Sequence, residues 1–535
     1  MTRSDPGRPL VAVVGGGIAG LAAAWELVAG SDAEPPDVHV FESADRVGGK
    51  LRWDEIAGRR VDLAADAFLA RRPEAVALCT ELGLDDQLVP VGSQGASIWA
   101  RDQLRLMPEG LNLGVPTRWW PLFRSGILTA GESVRVARDL VSPHLRTGTA
   151  IGDRTVGEIV GERLGRPVVE RLVDPLVGGI PAGGVDDLSA AATFPLLLAA
   201  SHQSGSLMRR LGRAMAPRPA GPPADPSTSG APAGGAPAFF TLAGTTASLA
   251  DLTASALEAR GVTIHTGVRV EALGRAGRRG PRARNGPARW QLSLRDTGRP
   301  GDASRGNGGN GNAGRRTLTA DAVVVAVPAP QAHALLTPTA PVAAGMLGTV
   351  QYASVGVVTM AFPAGAVPGP LRGTGFLVPR TSTIEGRAPL ITGVTYLGRK
   401  WPHLARPGDE LIRASVGRFG DARYTDMDDD ELLASVLGEL AVLLGIHVRP
   451  AHSLITRWVD ALPQYELGHL IRVGRIDREM AELGTMAVAG AALRGVGIPA
   501  CIASGRAAGR RMLAALHPDP EPEPEPGPSH DPAPA

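Results

Sequence analysis

The sequence predicts an α/β fold in which a Rossmann-like dinucleotide-binding domain is interleaved with a mixed-sheet domain and a helical lobe. Three observations predict it. A short apolar run, "PLVAVV", breaks at Gly15–Gly17 and resumes as "IAGLAAAWELV", the pattern of a strand, a glycine turn and a helix. A second β-rich run, "DVHVFES", follows and carries Glu42 at its end. Strand-like runs of the same kind return far along the chain, at 261–273, 320–330 and just before 490.

Gly15, Gly17 and Gly20 stand in the G-x-G-x-x-G spacing. The first glycine permits the tight turn, the second lets the backbone approach a pyrophosphate, and the third lets the helix pack on its strand. Gly16, Ile18 and Ala19 complete the turn, and the helix start offers unpaired N–H groups and a positive dipole end to phosphates. Glu42, with Ser43 beside it, places a carboxylate where a ribose hydroxyl pair binds. The plainer alternative is a bare strand–helix turn with a surface glutamate; the second strand argues against it. "RVGGKLR", residues 46–52, adds a second glycine turn with Gly49 and Lys50. This stretch resembles the extended motif of the flavoprotein group that includes amine oxidases and carotenoid desaturases. The resemblance implies FAD rather than NAD. Lys50 is then a phosphate or flavin neighbour, or else a solvated loop lysine.

Distant pieces complete such a site. "GVTIHTGVRVEAL" reads as a strand pair after a helix, with Val268 on the adenine side, and "ADAVVVAVPAP" as a buried strand leaving the dinucleotide domain. "TMAVAGAALRGVGIPACIASGRAAGRRM" reads as a strand, a glycine-rich crossing and a helix. Gly490, Val496, Gly497 and Ile498 fall in that crossing. The helix beginning near Pro499 would aim its positive end at the flavin's pyrimidine edge. Cys501 lacks the Ser-Gly-Gly-Cys-Tyr setting of covalent amine oxidases, so the expectation is a core cysteine and non-covalent FAD.

Composition bounds the rest. At 535 residues the chain has room for two or more domains, or one woven through another. The apolar fraction of 44% describes a globular protein, and no run is long and apolar enough to span a bilayer. "MTRSDPGRP" has no signal architecture, so a cytoplasmic protein is expected. Cys79 and Cys501 have no metal or redox spacing, and neither a disulfide framework nor a metal site is expected. Lys50 and Lys400 are the only lysines; the other cations are arginines, interleaved with acids to a net charge of +2. With aromatic residues at only 4%, nucleic acid is set aside. No internal repeat is found.

The expected dinucleotide domain comprises 1–75, 238–330 and 480–516. Residues 76–213 form a helical lobe and part of the substrate domain, and 331–479 form the rest of the substrate domain. Residues 214–237 are Pro/Gly/Ala/Ser-rich and read as a linker or insertion. Residues 275–315 read as an elongated hairpin with a short strand, "ARWQLSL", inside. The Pro/Glu tail at 517–535 cannot bury a core and reads as disordered.

Other stretches lie outside the shared flavin scaffold: "RLVDPLVGGIPAGGVDDLSAAATFP", "GTGFLVPR", "RKWPHLARPGDELIRASVGRFGD" and "RWVDALPQYELGHL". With "VDLAADAFLARRPEA" (61–75), they resemble the oxygen-dependent porphyrinogen oxidases of haem synthesis, over about Val11 to Met512 and outside the two insertions and the tail. The match leans to the soluble bacterial branch associated with coproporphyrinogen III. That resemblance implies hydride transfer from a methylene bridge of the macrocycle to flavin N5, proton loss from a pyrrole nitrogen, and flavin reoxidation by O2 to hydrogen peroxide. No catalytic side chain is required by this chemistry, and none is assigned; the protein's task is to hold a flat, anionic macrocycle.

By the same resemblance, Ala64, Ala65, Asp66 and Ala67 lie beside the flavin, although the family commonly has Gly-Pro where this chain has Ala64 and Ala65. Trp458 is a further flavin neighbour. Arg71 stands where the family approaches a substrate propionate, with Arg72 as second candidate; a solvated arginine is the alternative for each. Tyr465 lines the flavin or substrate cavity, or is a core tyrosine. His333, His403 and His469 read as structural or surface groups. "RWWPLF", 118–123, is an aromatic cluster that reads as core, channel wall or a membrane-contact patch. The implied partners are the porphyrinogen, O2 and, at most, the next enzyme of haem synthesis, with membrane contact no more than peripheral. The alternatives are protoporphyrinogen IX oxidation, a flavin amine oxidase, and an FAD-binding protein without turnover.

Overall fold

The computed structural model describes residues 8–30, 34–92, 95–141, 152–215, 237–276, 289–297 and 315–517. The 216–236 part of the expected linker and the tail beyond 517 lie outside the described residues.

Five strands form one parallel sheet in the order Thr263–His265, Asp37–Phe41, Leu10–Val14, Ala322–Val325, Met486–Val488. Leu10–Val14 sits at its centre and is buried along its whole length, as a strand covered on both faces must be. Val11 and Val13 face the helices Ile18–Ala29 and Ile498–Leu516 in one core, whereas Ala12 and Val14 join the core on the opposite face. The two helices approach closely because Gly505 and Gly509 have no Cβ; one added at Gly505 would stand 2.0 Å from the Ala19 carbonyl oxygen.

A second, mixed sheet has seven strands, in the order His452–Pro463, Tyr352–Pro363, Asp409–Val416, Ile391–Tyr396, Gly375–Leu377, Ser97–Ala100, Gln103–Leu106. Its pairs are antiparallel except Gly375–Leu377 with Ser97–Ala100. The helices between 119 and 215 gather around their own core of Leu122, Ile159, Leu172 and Leu197. Among them runs a ten-residue π-helical stretch, Val169–Gly178, with Pro175 inside it. Such wide turns displace side chains relative to an α-helix and recur at functional sites.

The short strand expected inside 275–315 is Trp290–Asp296, the middle of a three-stranded antiparallel sheet with Val268–Arg275 and Arg315–Ala320. Trp290 is fully buried in it, and its indole N–H donates to Thr485 Oγ1 at 3.0 Å. Residues 277–288 and 298–314 lie outside the described residues. No helix among the described residues is long and apolar enough to cross a membrane.

Candidate functional site

A parallel sheet binds ligands at the carboxyl ends of its strands. Here the Leu10–Val14 strand delivers the chain into the Gly15–Gly17 turn and the Ile18–Ala29 helix. Gly15 has φ +110°, open only to glycine, and a Cβ on Gly20 would lie 1.9 Å from the Gly15 carbonyl oxygen. Gly17 differs: a Cβ there would meet no protein atom within 4 Å. Gly49 stands against it, and Gly48 N–H donates to the Gly16 carbonyl at 2.8 Å. Glu42 closes the turn, accepting from Gly16 N–H and Ala44 N–H at 2.8 Å each. Val268 N–H donates to the Glu42 carbonyl, which brings the distant 261–273 segment to the acidic strand end. Ser43 is exposed beside it.

The second half of this cradle comes from the C-terminal part. Gly497 is the N-cap of Ile498–Leu516, and no side chain caps that helix, as none caps Ile18–Ala29. Gly490 has φ +123° with open space where a Cβ would point. The uncapped start of Ile18–Ala29, fronted by bare glycines, fits dinucleotide phosphates that need backbone N–H groups, and the uncapped start of Ile498–Leu516 reaches past it.

Tyr465 is buried and does not line the cavity. Its hydroxyl donates to the Ala491 carbonyl and accepts from Gly495 N–H at 2.7 Å. Its ring stacks on His469, whose Nε2–H donates to the Leu493 carbonyl at 2.7 Å. The pair therefore holds the glycine crossing from below. Removing the hydroxyl in Tyr465→Phe leaves the Gly495 N–H unpartnered. The expected result is a loss of about 1–2 kcal/mol in stability and faster flavin release, measured by thermal unfolding and by fluorescence of released flavin.

Next to the cradle lies a cavity of about 370 Å³. Its floor is the large mixed sheet, through Val355–Val357, Thr392–Thr395 and Ser415–Arg418, and the π-helical stretch walls it with Asp174, Pro175 and Gly178. Lys50, Ala64, Ala65 and Trp458, all expected beside the flavin, line it together. Lys50 joins cavity to cradle. Its ammonium lies 5.9 Å from the Tyr352 ring centroid, and burial lowers its pKa while Cys501 opposes that shift. The Trp458 indole N–H donates to the Leu63 carbonyl at 2.9 Å, which fixes its ring.

Arg71 and Arg72 are not in this cavity. Arg71 is exposed; Arg72 pairs with Glu74 at 3.0 Å and borders a separate depression beside Arg494 and Arg511. Both leave the strand end just where the chain turns outward into the Pro73–Glu81 helix. The cations that do line the cavity are Lys50, Arg380 and Arg418, with Asp174 the one acid among the lining residues. Arg380 and Arg418 end the "GTGFLVPR" and "RASVGR" stretches; position next to a strand end was their signal, lost among so many arginines.

Asp66, expected at the flavin, is only 7% exposed and points into the protein. Lys400 Nζ reaches its two oxygens at 2.9 and 3.0 Å, Arg413 pairs with it at 2.9 Å, and the Trp401 indole N–H donates at 3.1 Å. Burial alone would raise its pKa; Arg413 and Lys400 outweigh that and hold it well below the ordinary carboxylate range. Asp66 thus acts as a strut under Ala64 and Ala65, with Ala67 packed in the apolar cluster behind it. Asp62, which sequence reasoning passed over, accepts from Thr246 N–H at 3.0 Å and Ala247 N–H at 2.8 Å. Burial, and then the Asp66 charge, push it up to about 7 against those two bonds. The aromatic cluster is divided: Trp119 is half-buried, whereas Trp120 is 57% exposed.

Comparison with known proteins agrees with this geometry. A family model described as flavin containing amine oxidoreductase matches residues 18–513. The chain is 35% identical to a coproporphyrinogen III oxidase of Propionibacterium freudenreichii subsp. freudenreichii, over 92% of this chain and 89% of that protein. It is 30% identical to the coproporphyrinogen III oxidase of Bacillus subtilis, over 94% of this chain and 97% of that one. A solved structure from Exiguobacterium named for protoporphyrinogen oxidase superposes with a TM-score of 0.76 at 29% identity, covering 95% of this chain and 99% of its own. On the glycine cradle, the fold and these near full-length matches, the chain belongs to the flavin-containing amine oxidoreductase family.

Proposed function

We propose that this protein is an FAD-dependent oxidase that converts coproporphyrinogen III to coproporphyrin III with O2, releasing hydrogen peroxide. The observation that carries the reading is the agreement between near full-length likeness to coproporphyrinogen III oxidases and a cavity whose fixed charges are mostly cationic. A tetracarboxylate macrocycle suits apolar strand residues beside its ring and cations at its edge.

Bound flavin supplies a hydride acceptor that O2 can reoxidise. The chain's own residues orient and shield. The uncapped N–H groups at the start of Ile18–Ala29 would hold the phosphates, Glu42 the ribose, and the start of Ile498–Leu516 would face the flavin's pyrimidine edge, while Trp458 and the Ala64–Ala65 backbone would face the ring side of the cavity. The sheet floor presents Val355, Val357 and Thr395 to the macrocycle, which keeps bulk water from its face. No protein group has to accept the pyrrole proton, because it can leave to solvent at the cavity mouth.

The flavin is held without a covalent bond. Cys501 is buried on the C-terminal helix, its thiol directed at the Gly495 and Val496 carbonyls at 3.9 and 3.8 Å. Burial pushes that thiol up to about 11, so it stays protonated at neutral pH and is a poor nucleophile. Acid precipitation should leave the yellow colour in the supernatant; colour kept in the pellet would contradict this.

The deciding experiment is anaerobic bleaching of the flavin by coproporphyrinogen III and protoporphyrinogen IX side by side. Faster bleaching by the tetracarboxylate is expected. Protoporphyrinogen IX oxidation is the second reading, favoured by the likeness to the Exiguobacterium structure; equal or faster bleaching by the dicarboxylate would establish it. Yellow protein bleached by neither would point to a flavin protein without porphyrinogen turnover.

A further inference from the structure

One end of the cavity is electrostatically incomplete. Arg418 follows Gly417, whose φ of +81° turns the chain at the end of the Asp409–Val416 strand. Only 8% of Arg418 is exposed, and its Nη2 is buried with no hydrogen-bond partner. No ion pair closes on it among the described residues, although Asp174 and Asp421 lie near enough to act on its charge. An unspent guanidinium N–H in such a place is costly, and each costs the desolvation of a charged donor.

Arg380 stands beside it. Its Nε faces Asp174 at 3.6 Å and its Nη1 donates to the Phe419 carbonyl at 3.3 Å, which leaves Nη2 without a hydrogen bond among the described residues. Asp174 in turn accepts from Val185 N–H at 3.1 Å, so it is fixed to the cavity wall and cannot swing to satisfy Arg418. Asp174 is thus paired with Arg380, and among the described residues no carboxylate pairs with Arg418. A second carboxylate is what this end lacks.

We propose that Arg418 and Arg380 form a carboxylate-binding subsite that receives one propionate arm of the macrocycle and favours macrocycles with more such arms. This rests on the porphyrinogen reading above. Guanidinium is the fitting group, because its planar N–H pairs match a carboxylate and its charge cannot be titrated away. Asp174 keeps the two cations from repelling each other before the ligand arrives, and it repels any carboxylate that approaches from the wall side. The ligand is therefore directed to the unspent N–H groups.

The test uses the flavin-replete protein and its Arg418→Gln and Arg380→Gln variants, with Arg418→Lys as the conservative control. Binding of coproporphyrin III, its tetramethyl ester and protoporphyrin IX is followed by quenching of porphyrin fluorescence. For coproporphyrin III, Arg418→Gln should raise Kd roughly ten- to a hundredfold, as expected for a charge-assisted pair in a sheltered site. The ester should bind wild type and variant alike, and Arg418→Lys should recover part of the affinity. With coproporphyrinogen III as substrate, KM should rise by a similar factor and kcat fall less.

Unchanged Kd in a variant with normal flavin content would overturn the subsite, as would an ester that binds wild type as tightly as the acid. Should Arg418→Gln fail to hold flavin, Arg380→Gln carries the same expectation, since Arg380 is partly exposed at the rim. Arginine-dependent binding of the tetracarboxylate by a protein that oxidises no porphyrinogen would uphold the subsite and refute the proposed function.

Discussion

Gly17→Val should give folded, colourless protein with no turnover. The side chain itself is admissible to the fold: Gly17 has φ −71° and ψ 171°, ordinary extended backbone, and a Cβ there touches no protein atom. Valine's two methyl groups would instead fill the space in front of the Ile18–Ala29 helix start, where phosphate must approach within hydrogen-bonding distance. Loss of even two charge-assisted N–H bonds costs about 3 kcal/mol or more, roughly a hundredfold or more in flavin affinity. Gly20→Val is the contrasting case. Its Cβ would collide with the Gly15 carbonyl oxygen at 1.9 Å, so the turn itself fails and insoluble protein is expected. Far-ultraviolet circular dichroism with the flavin absorbance ratio separates the two outcomes; yellow, active Gly17→Val would refute the phosphate cradle.

The second large effect is expected at Asp66. Its carboxylate is the shared partner of Lys400 and Arg413, both largely withdrawn from water. Asp66→Ala abandons two sheltered cations at once, and breaking a buried pair in this way costs about 3–5 kcal/mol. Asp66→Asn keeps the shape and an acceptor for the Trp401 indole but not the charge, so a loss of about 1–3 kcal/mol is expected. Urea unfolding followed by tryptophan fluorescence measures both. The pH dependence has a definite sign. Because the folded-state pKa is depressed, the contribution of Asp66 is fully present above the ordinary carboxylate range and disappears as the pH falls through and below it. Stability of Asp66→Asn should therefore converge on that of wild type in acid. Equal stabilities of wild type and Asp66→Ala at neutral pH would show that the cluster contributes nothing.

The dinucleotide half of the molecule was readable because its physics is local. Gly15, Gly17 and Gly20 need no partner to announce a turn that a side chain would block, and "DVHVF" alternates as a strand must. The C-terminal helix after Gly497 could be placed for the same reason. The cavity was far less readable, because its groups are brought together by the seven-stranded sheet rather than by spacing. Arg71 looked well placed in the chain, yet the strand end before it turns outward and leaves it in water. Arg418 carries no local mark; only the fold reveals that its guanidinium faces a cavity with a donor unspent. The family resemblance of the 64–68 stretch places Asp66 at the flavin, but the partners of its side chain lie more than 330 positions away and draw it into the protein.

The contact between Ile18–Ala29 and Ile498–Leu516 also bears on how the protein is made. The first half of the cradle is synthesised almost 500 residues before its counterpart. Until then the side of the first helix that Gly505 and Gly509 approach lacks its cover, and the cradle lacks its second helix start. Cofactor capture must therefore be a late event, and nascent chains stalled before Ile498 should stay flavin-free and seek chaperone cover. Flavin retention in such a protein reports that both ends of the chain have met.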